Sequence, residues 1–133
     1  MSGLIEKKRE ILKWSQTAYE KGFLSGASGN LSLRLSASRI LITPSGVSKG
    51  HLQSGDLIQC DLQKEKPIGS SGRKPSSEIR MHAFIYRHRS DVQAVLHAHP
   101  AYAVALSVAG ISLEEAILPE SVFSMGAIAA CPY

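Results

Sequence analysis

Cysteine, aromatic residues and long apolar runs are all scarce in this sequence, and each shortage removes a class of protein. The two cysteines, Cys60 and Cys131, lie far apart and make no CxxC or knuckle spacing. Neither a disulfide framework nor a cysteine-based zinc finger is available to such a chain, and both thiols are expected to be free. Aromatic residues make up 6% of the sequence and do not interleave with the basic residues, which form no stripe. Nucleic acid is therefore not an expected partner. No apolar stretch approaches the roughly 20 residues that cross a bilayer, and the N-terminus reads as a charged helix, not a signal peptide. The expectation is a cytoplasmic protein with no membrane association.

What is present suits one globular unit. With 133 residues, 44% hydrophobic and 20% charged, residues 1–133 are expected to form a single domain around one apolar core. A net charge of +4 and a pI near 9.2 favour an anionic partner. Because the charge is scattered, a small phosphorylated substrate explains it as well as a polyanion would.

The hydrophobic pattern alternates between helical and extended periods. Ile5 to Tyr19 reads as an amphipathic helix with Ile5, Leu12, Ala18 and Tyr19 on one face, stopped by Gly22. Strands are expected at Leu31 to Leu35, Arg39 to Thr43 and Asp56 to Asp61, with Ser36-Ala37-Ser38 as the first turn. Gln63 to Pro75, polar and rich in lysine, glycine and proline, reads as an exposed excursion. Pro75-Ser76-Ser77-Glu78 opens a helix to about His88, with a serine cap and Glu78 in the first turn. A strand over Asp91 to His97 follows, then a helix from Pro100 to Val108 ended by Gly110. Beyond Leu118 further structure is expected, yet the sequence stops at Tyr133 in an apolar stretch, as an incomplete domain would.

Chemistry is concentrated in a few short segments. In Val95-Leu96-His97-Ala98-His99-Pro100 the histidines are two apart, so on a strand both imidazoles leave one face and can grip one metal ion. Zinc, nickel or iron would accept two such nitrogens, and a catalytic zinc site normally has a third protein ligand. Glu78 is the candidate acid or base: a carboxylate beside a metal can exchange a proton with a carbon whose carbanion the metal stabilises. Ser28-Gly29-Asn30, Thr43-Pro44-Ser45-Gly46 and Ser76-Ser77 combine glycines, hydroxyls and an amide in the way that phosphate sites do. Spacing alone does not bring the three together. His82 shares a helical face with Glu78 and could approach the same pocket, but it, His51 and His88 read as core or surface residues.

Taken together, Ser28-Gly29-Asn30-Leu31-Ser32, Leu41-Ile42-Thr43-Pro44-Ser45-Gly46, Lys74-Pro75-Ser76-Ser77-Glu78 and His97-Ala98-His99-Pro100 resemble the class II aldolase and adducin family, most of all its fuculose-1-phosphate aldolase branch. The resemblance implies a three-layer α/β/α fold around a mostly antiparallel sheet, shortened at its C-terminal edge. It also implies a substrate-phosphate pocket of Gly29, Asn30, Ser45, Gly46, Ser76 and Ser77. Glu78 would be the catalytic acid/base, and His97 and His99 would be zinc ligands, with Glu78 or water completing the metal shell. The activity implied is zinc-dependent retro-aldol cleavage of a sugar phosphate to dihydroxyacetone phosphate and an aldehyde, in a homo-oligomer. The family's third zinc histidine would follow Pro132-Tyr133. A sugar-phosphate epimerase, a dehydratase and a non-catalytic aldolase-like or adducin-like module are the alternatives. Glu78 tilts away from the epimerase branch, which typically has aspartate there, and His97-Ala98-His99 tilts away from adducin.

Overall fold

A computed structural model of the protein describes residues 2–69 and 72–112, together with 123, 124, 126, 128, 129 and 131. The chain divides into two compact units, Met1–Pro100 and Ala101–Tyr133. In the first unit a helix α1 (Ser2–Glu20) precedes strands β1 (Asn30–Ser36), β2 (Arg39–Ile42), β3 (Ile58–Asp61) and β4 (Lys66–Pro67), then helix α2 (Ile79–His88) and strand β5 (Ala94–His97). The second contains helix α3 (Ala101–Val108), closed by Gly110 in the left-handed region at φ 70°. The structure expected beyond Leu118 falls almost wholly outside the described residues.

The sheet is antiparallel throughout, in the order β4-β3-β2-β1-β5. Its two faces are both covered, because alternation along each strand sends side chains to opposite sides. Leu31, Leu33 and Leu41 join Ile11 of α1 and Leu57 in one apolar cluster. Ile40, Ile42, Ile58 and Cys60 join Ala83 and Tyr86 of α2 in the other. The result is the α/β/α layering expected around an antiparallel sheet. Each buried leucine or isoleucine contributes on the order of 1.5–3 kcal/mol to this arrangement.

Several element boundaries differ from the expectation. Along α1 the buried stripe is Ile11, Ser15 and Ala18, whereas Ile5 is 55% exposed, so the contact face is rotated toward Ile11. The strand expected from Asp56 begins at Ile58, since Ser54–Asp56 is a 3-10 turn. There the Asp56 carboxylate accepts from the Gln53 N–H. Gln63 to Pro75 is not wholly an excursion: Asp61 accepts from the Gln63 and Lys64 N–H groups, and the chain returns as β4 on the sheet edge, where a proline is tolerated. Strand β5 starts at Ala94, three residues after Asp91. Before it, the Arg34 side chain donates to the carbonyls of Tyr86, Arg89 and Val92, and its N–H to Gln93 O.

Candidate active site

Four chain segments meet at one end of the sheet. The β1–β5 register sets Asn30 opposite His97. The exits of β2 and of the segment before α2 cross at a Pro44–Pro75 bridge. Prolines have no N–H to give, so the crossing is tied by their neighbours: Ser45 N–H donates to Lys74 O, and Ser76 N–H to Thr43 O. Gly29, at φ 70°, turns the chain into β1. A Cβ there would overlap the Leu24 side chain and lie 2.8 Å from His97 O, so only glycine lets these strands close.

The cleft so formed holds about 170 Å³, and Gly29, Asn30, Ser45, Gly46, Ser76, Ser77, Glu78, His97 and His99 all line it. Of the residues singled out from the sequence for phosphate, acid/base or metal, all but Thr43, which is buried with its hydroxyl on the Leu31 N–H, thus line one small space. The imidazoles of His97 and His99 lie 4.8 Å apart between ring centres, tilted by 53°. Only His97 belongs to the strand; His99 follows it, with its N–H on Phe23 O. Two-residue spacing on one strand is therefore not what pairs the rings. Among the described residues no three His, Cys, Asp or Glu side chains converge on a common metal position. The two imidazoles fit as a pair of nitrogen donors and fall short of a complete protein set.

Glu78 stands at the N-cap of α2, not inside the first turn as the sequence suggests. The segment through Ser76 is held extended against Thr43, so the helix cannot begin earlier. The Ser76 hydroxyl accepts from Glu78 N–H at 3.2 Å, the capping role expected of a serine, displaced by the bridge. Glu78 makes no capping hydrogen bond with its own side chain. Its half-buried carboxylate is left to the cleft.

Two features were not legible from the motifs. Lys49 is buried and lines the cleft, its Nζ donating to Ala27 O at 2.9 Å and Val47 O at 2.7 Å. Burial lowers its pKa below the ordinary lysine value. The second is a chain of hydrogen bonds behind the cleft, from His97 through Asn30, His82 and Ser32 to Tyr86, part-buried at its His97 end and buried beyond Asn30. Burial, with a lesser effect of His97, pushes the His82 pKa down to about 4, so its ring is neutral at ordinary pH. Of its inner members only His82 had a sequence signal, the four-residue step from Glu78.

Residues 9–133 match the family Class II Aldolase and Adducin N-terminal domain. The chain is 34% identical over 130 residues to a 3-oxo-tetronate 4-phosphate decarboxylase of Pectobacterium atrosepticum, covering 95% of this chain and 58% of that protein. It is 40% identical over 87 residues to a methylthioribulose-1-phosphate dehydratase of Sodalis glossinidius, covering 65% of this chain and 42% of the relative. The solved L-fuculose-1-phosphate aldolase of Thermus thermophilus superposes with a TM-score of 0.75 at 30% identity, over 92% of this chain and 60% of that one. The chain thus spans about half the length of the curated relatives it matches. The match over residues 9–133, with the layered fold shared with these solved structures, shows that this chain belongs to the class II aldolase and adducin family.

Proposed function

We propose that this chain carries the substrate-phosphate pocket, the acid/base and two metal ligands of a zinc-dependent lyase that leaves the enediolate of dihydroxyacetone phosphate. The observation that carries the reading is the convergence of Glu78, His97 and His99 with the glycine, serine and asparagine segments on one cleft. Gly29, Asn30, Ser45, Gly46, Ser76 and Ser77 hold the phosphate in this reading, and Lys49 supplies positive charge beside it. His97 and His99 hold the metal, with Glu78 or water completing its shell. Zinc, when bound, would supply positive charge beside the carbonyl oxygen, where negative charge develops. Binding through two histidines is weak. The match from 9 to 133 runs through both compact units, which supports reading them as one domain. The protein works as a cytoplasmic homo-oligomer.

For a ketose 1-phosphate of the fuculose type, the bond between C3 and C4 breaks as the C4 hydroxyl passes its proton to solvent water and the aldehyde departs, leaving the bonding pair in the enediolate. Glu78 then delivers a proton to C3. The reverse step takes that proton back. A 3-oxo-tetronate 4-phosphate leads to the same enediolate by losing carbon dioxide from its carboxylate, and the same carbon is then protonated by Glu78. This second reading is favoured by the 34% identity that extends over 95% of the chain. Dehydration is a third outcome within the family.

The test is to load the protein with zinc and follow dihydroxyacetone phosphate from fuculose 1-phosphate and from 3-oxo-tetronate 4-phosphate in parallel. Release from the first alone identifies an aldolase, and from the second alone a decarboxylase. Glu78→Gln is expected to cut the active reaction by about 10²–10⁴-fold, the usual contribution of a positioned acid/base. Bound zinc with no product from either substrate would overturn both the aldolase and the decarboxylase readings, leaving dehydration or a non-catalytic module.

A further inference from the structure

The buried chain behind the cleft has a property that follows from its donors and acceptors. His82 Nε2–H donates to Asn30 Oδ1, and Asn30 Nδ2 donates to His97 Nδ1 at 3.4 Å. His82 Nδ1 accepts from the Ser32 hydroxyl at 2.6 Å. The Tyr86 hydroxyl lies 2.9 Å from Ser32 Oγ and donates to Ser32 O at 3.0 Å. Since His97 Nδ1 is an acceptor here, the neutral ring carries its proton on Nε2. That proton blocks the nitrogen left for a metal.

An amide has one donor end and one acceptor end, so it cannot serve both rings independently. If the Asn30 amide turns over, Oδ1 accepts from a His97 Nδ1–H, and Nδ2 donates to a bare His82 Nε2. The His82 proton then sits on Nδ1 and is accepted by Ser32 Oγ. The Ser32 hydroxyl donates to Tyr86, which keeps its bond to Ser32 O. Every buried group is satisfied in both arrangements, and a mixed arrangement leaves one unsatisfied, at a cost of about 1–3 kcal/mol. His82 and Ser32 are fully buried, so water cannot replace the lost partner.

We propose that Asn30 locks the tautomers of His82 and His97 together, and that metal uptake at His97 Nε2 turns the amide and moves the His82 proton from Nε2 to Nδ1. Asn30, His82, Ser32 and Tyr86 are thereby positioning residues for a metal ligand, and the inference rests on the metal reading of this cleft. His82 touches no ligand, yet it reports occupancy of the site.

The experiment is two-bond proton–nitrogen NMR of the histidine rings at neutral pH, without metal and with zinc. The metal-free protein is expected to show Nε2–H on both rings. With zinc, His97 coordinates through Nε2 and the His82 proton appears on Nδ1. Asn30→Asp, an acceptor at both ends, is expected to unlock the pair: His97 takes Nδ1–H already without metal, and His82 keeps Nε2–H with or without it. Zinc bound by His97 while wild-type His82 stays at Nε2–H would overturn the relay and leave the metal site standing. Unequal tautomers on the two rings of the metal-free protein would also overturn it. Failure to take up zinc would sink the metal reading, and the metal-free pairing would still decide the lock.

Discussion

The two faces of the sheet are built from the same strands and behave differently. On the α1 side, Leu31, Leu33, Leu41, Leu57 and Ile11 form a wholly aliphatic cluster. Beside it lies an apolar crevice of about 550 Å³, lined largely by residues such as Trp14, Phe23, Leu31, Leu33 and Leu96. On the α2 side an equally dry cluster surrounds Ser32, His82 and the Tyr86 hydroxyl, joined to one another and to Asn30. The cleft that this chain supports is about 170 Å³. Apolarity thus marks one face, while converging polar groups mark the other. Chemistry follows the polar groups, since a reaction needs donors, acceptors and protons held in place.

The contrast can be broken most severely on the aliphatic side. Leu41 is fully buried, so Leu41→Ala is expected to cost about 2–5 kcal/mol in urea unfolding. The polar side should instead show itself through pH. The folded His82 pKa of about 4 lies below the unfolded value of about 6.5, so the unfolded chain binds the proton first. Stability is therefore full above about pH 6.5 and falls by roughly 3 kcal/mol on the way to pH 4, where it levels off. Melts at closely spaced pH values would check this, and His82→Gln should flatten that limb. A smaller effect separates two glycines of one loop. Gly26 and Gly29 share positive φ, but only Gly29 meets neighbours within reach of a Cβ. Gly29→Ala should exceed Gly26→Ala by about 1–3 kcal/mol, the usual overpacking cost, with the difference read from paired denaturation curves. Least of all, Trp14→Gln, at a side chain 54% exposed, should move stability by no more than about 0.5 kcal/mol. A larger loss would mean that the apolar crevice contributes more than its exposure implies.

The sequence was most informative where a local rule acts alone. Alternation in Leu31 to Leu35 marked β1, and Gly22 and Gly110 marked helix ends that the structure keeps. It was least informative where distant segments compete. Ser32 and Arg34 have the pattern of a solvent-facing side, yet Ser32 is fully buried under α2. Period two identifies two faces and says nothing of what covers each. The start of α2 shifted because Ser76 is tied to Thr43, a contact across more than thirty positions that capping rules do not see. For the cleft, each motif was visible separately, but their meeting depends on the strand order and the proline crossing. Lys49 carried no signal at all: a lysine beside a glycine reads as surface, and only the carbonyls of Ala27 and Val47 explain its burial.

The crossing at Pro44 and Pro75 has a further consequence. Because the lining of the cleft is drawn from segments near residues 29, 45, 77 and 98, no fragment shorter than Ala27 to His99 contains it. The unfolded chain offers a ligand nothing resembling this cleft, so whatever binds there selects the native ensemble. At a hundred times its dissociation constant such a ligand adds about 2.7 kcal/mol to the unfolding free energy. A thermal-shift screen of phosphorylated sugars and metal ions is therefore a direct route to the natural occupant, even from preparations that turn nothing over.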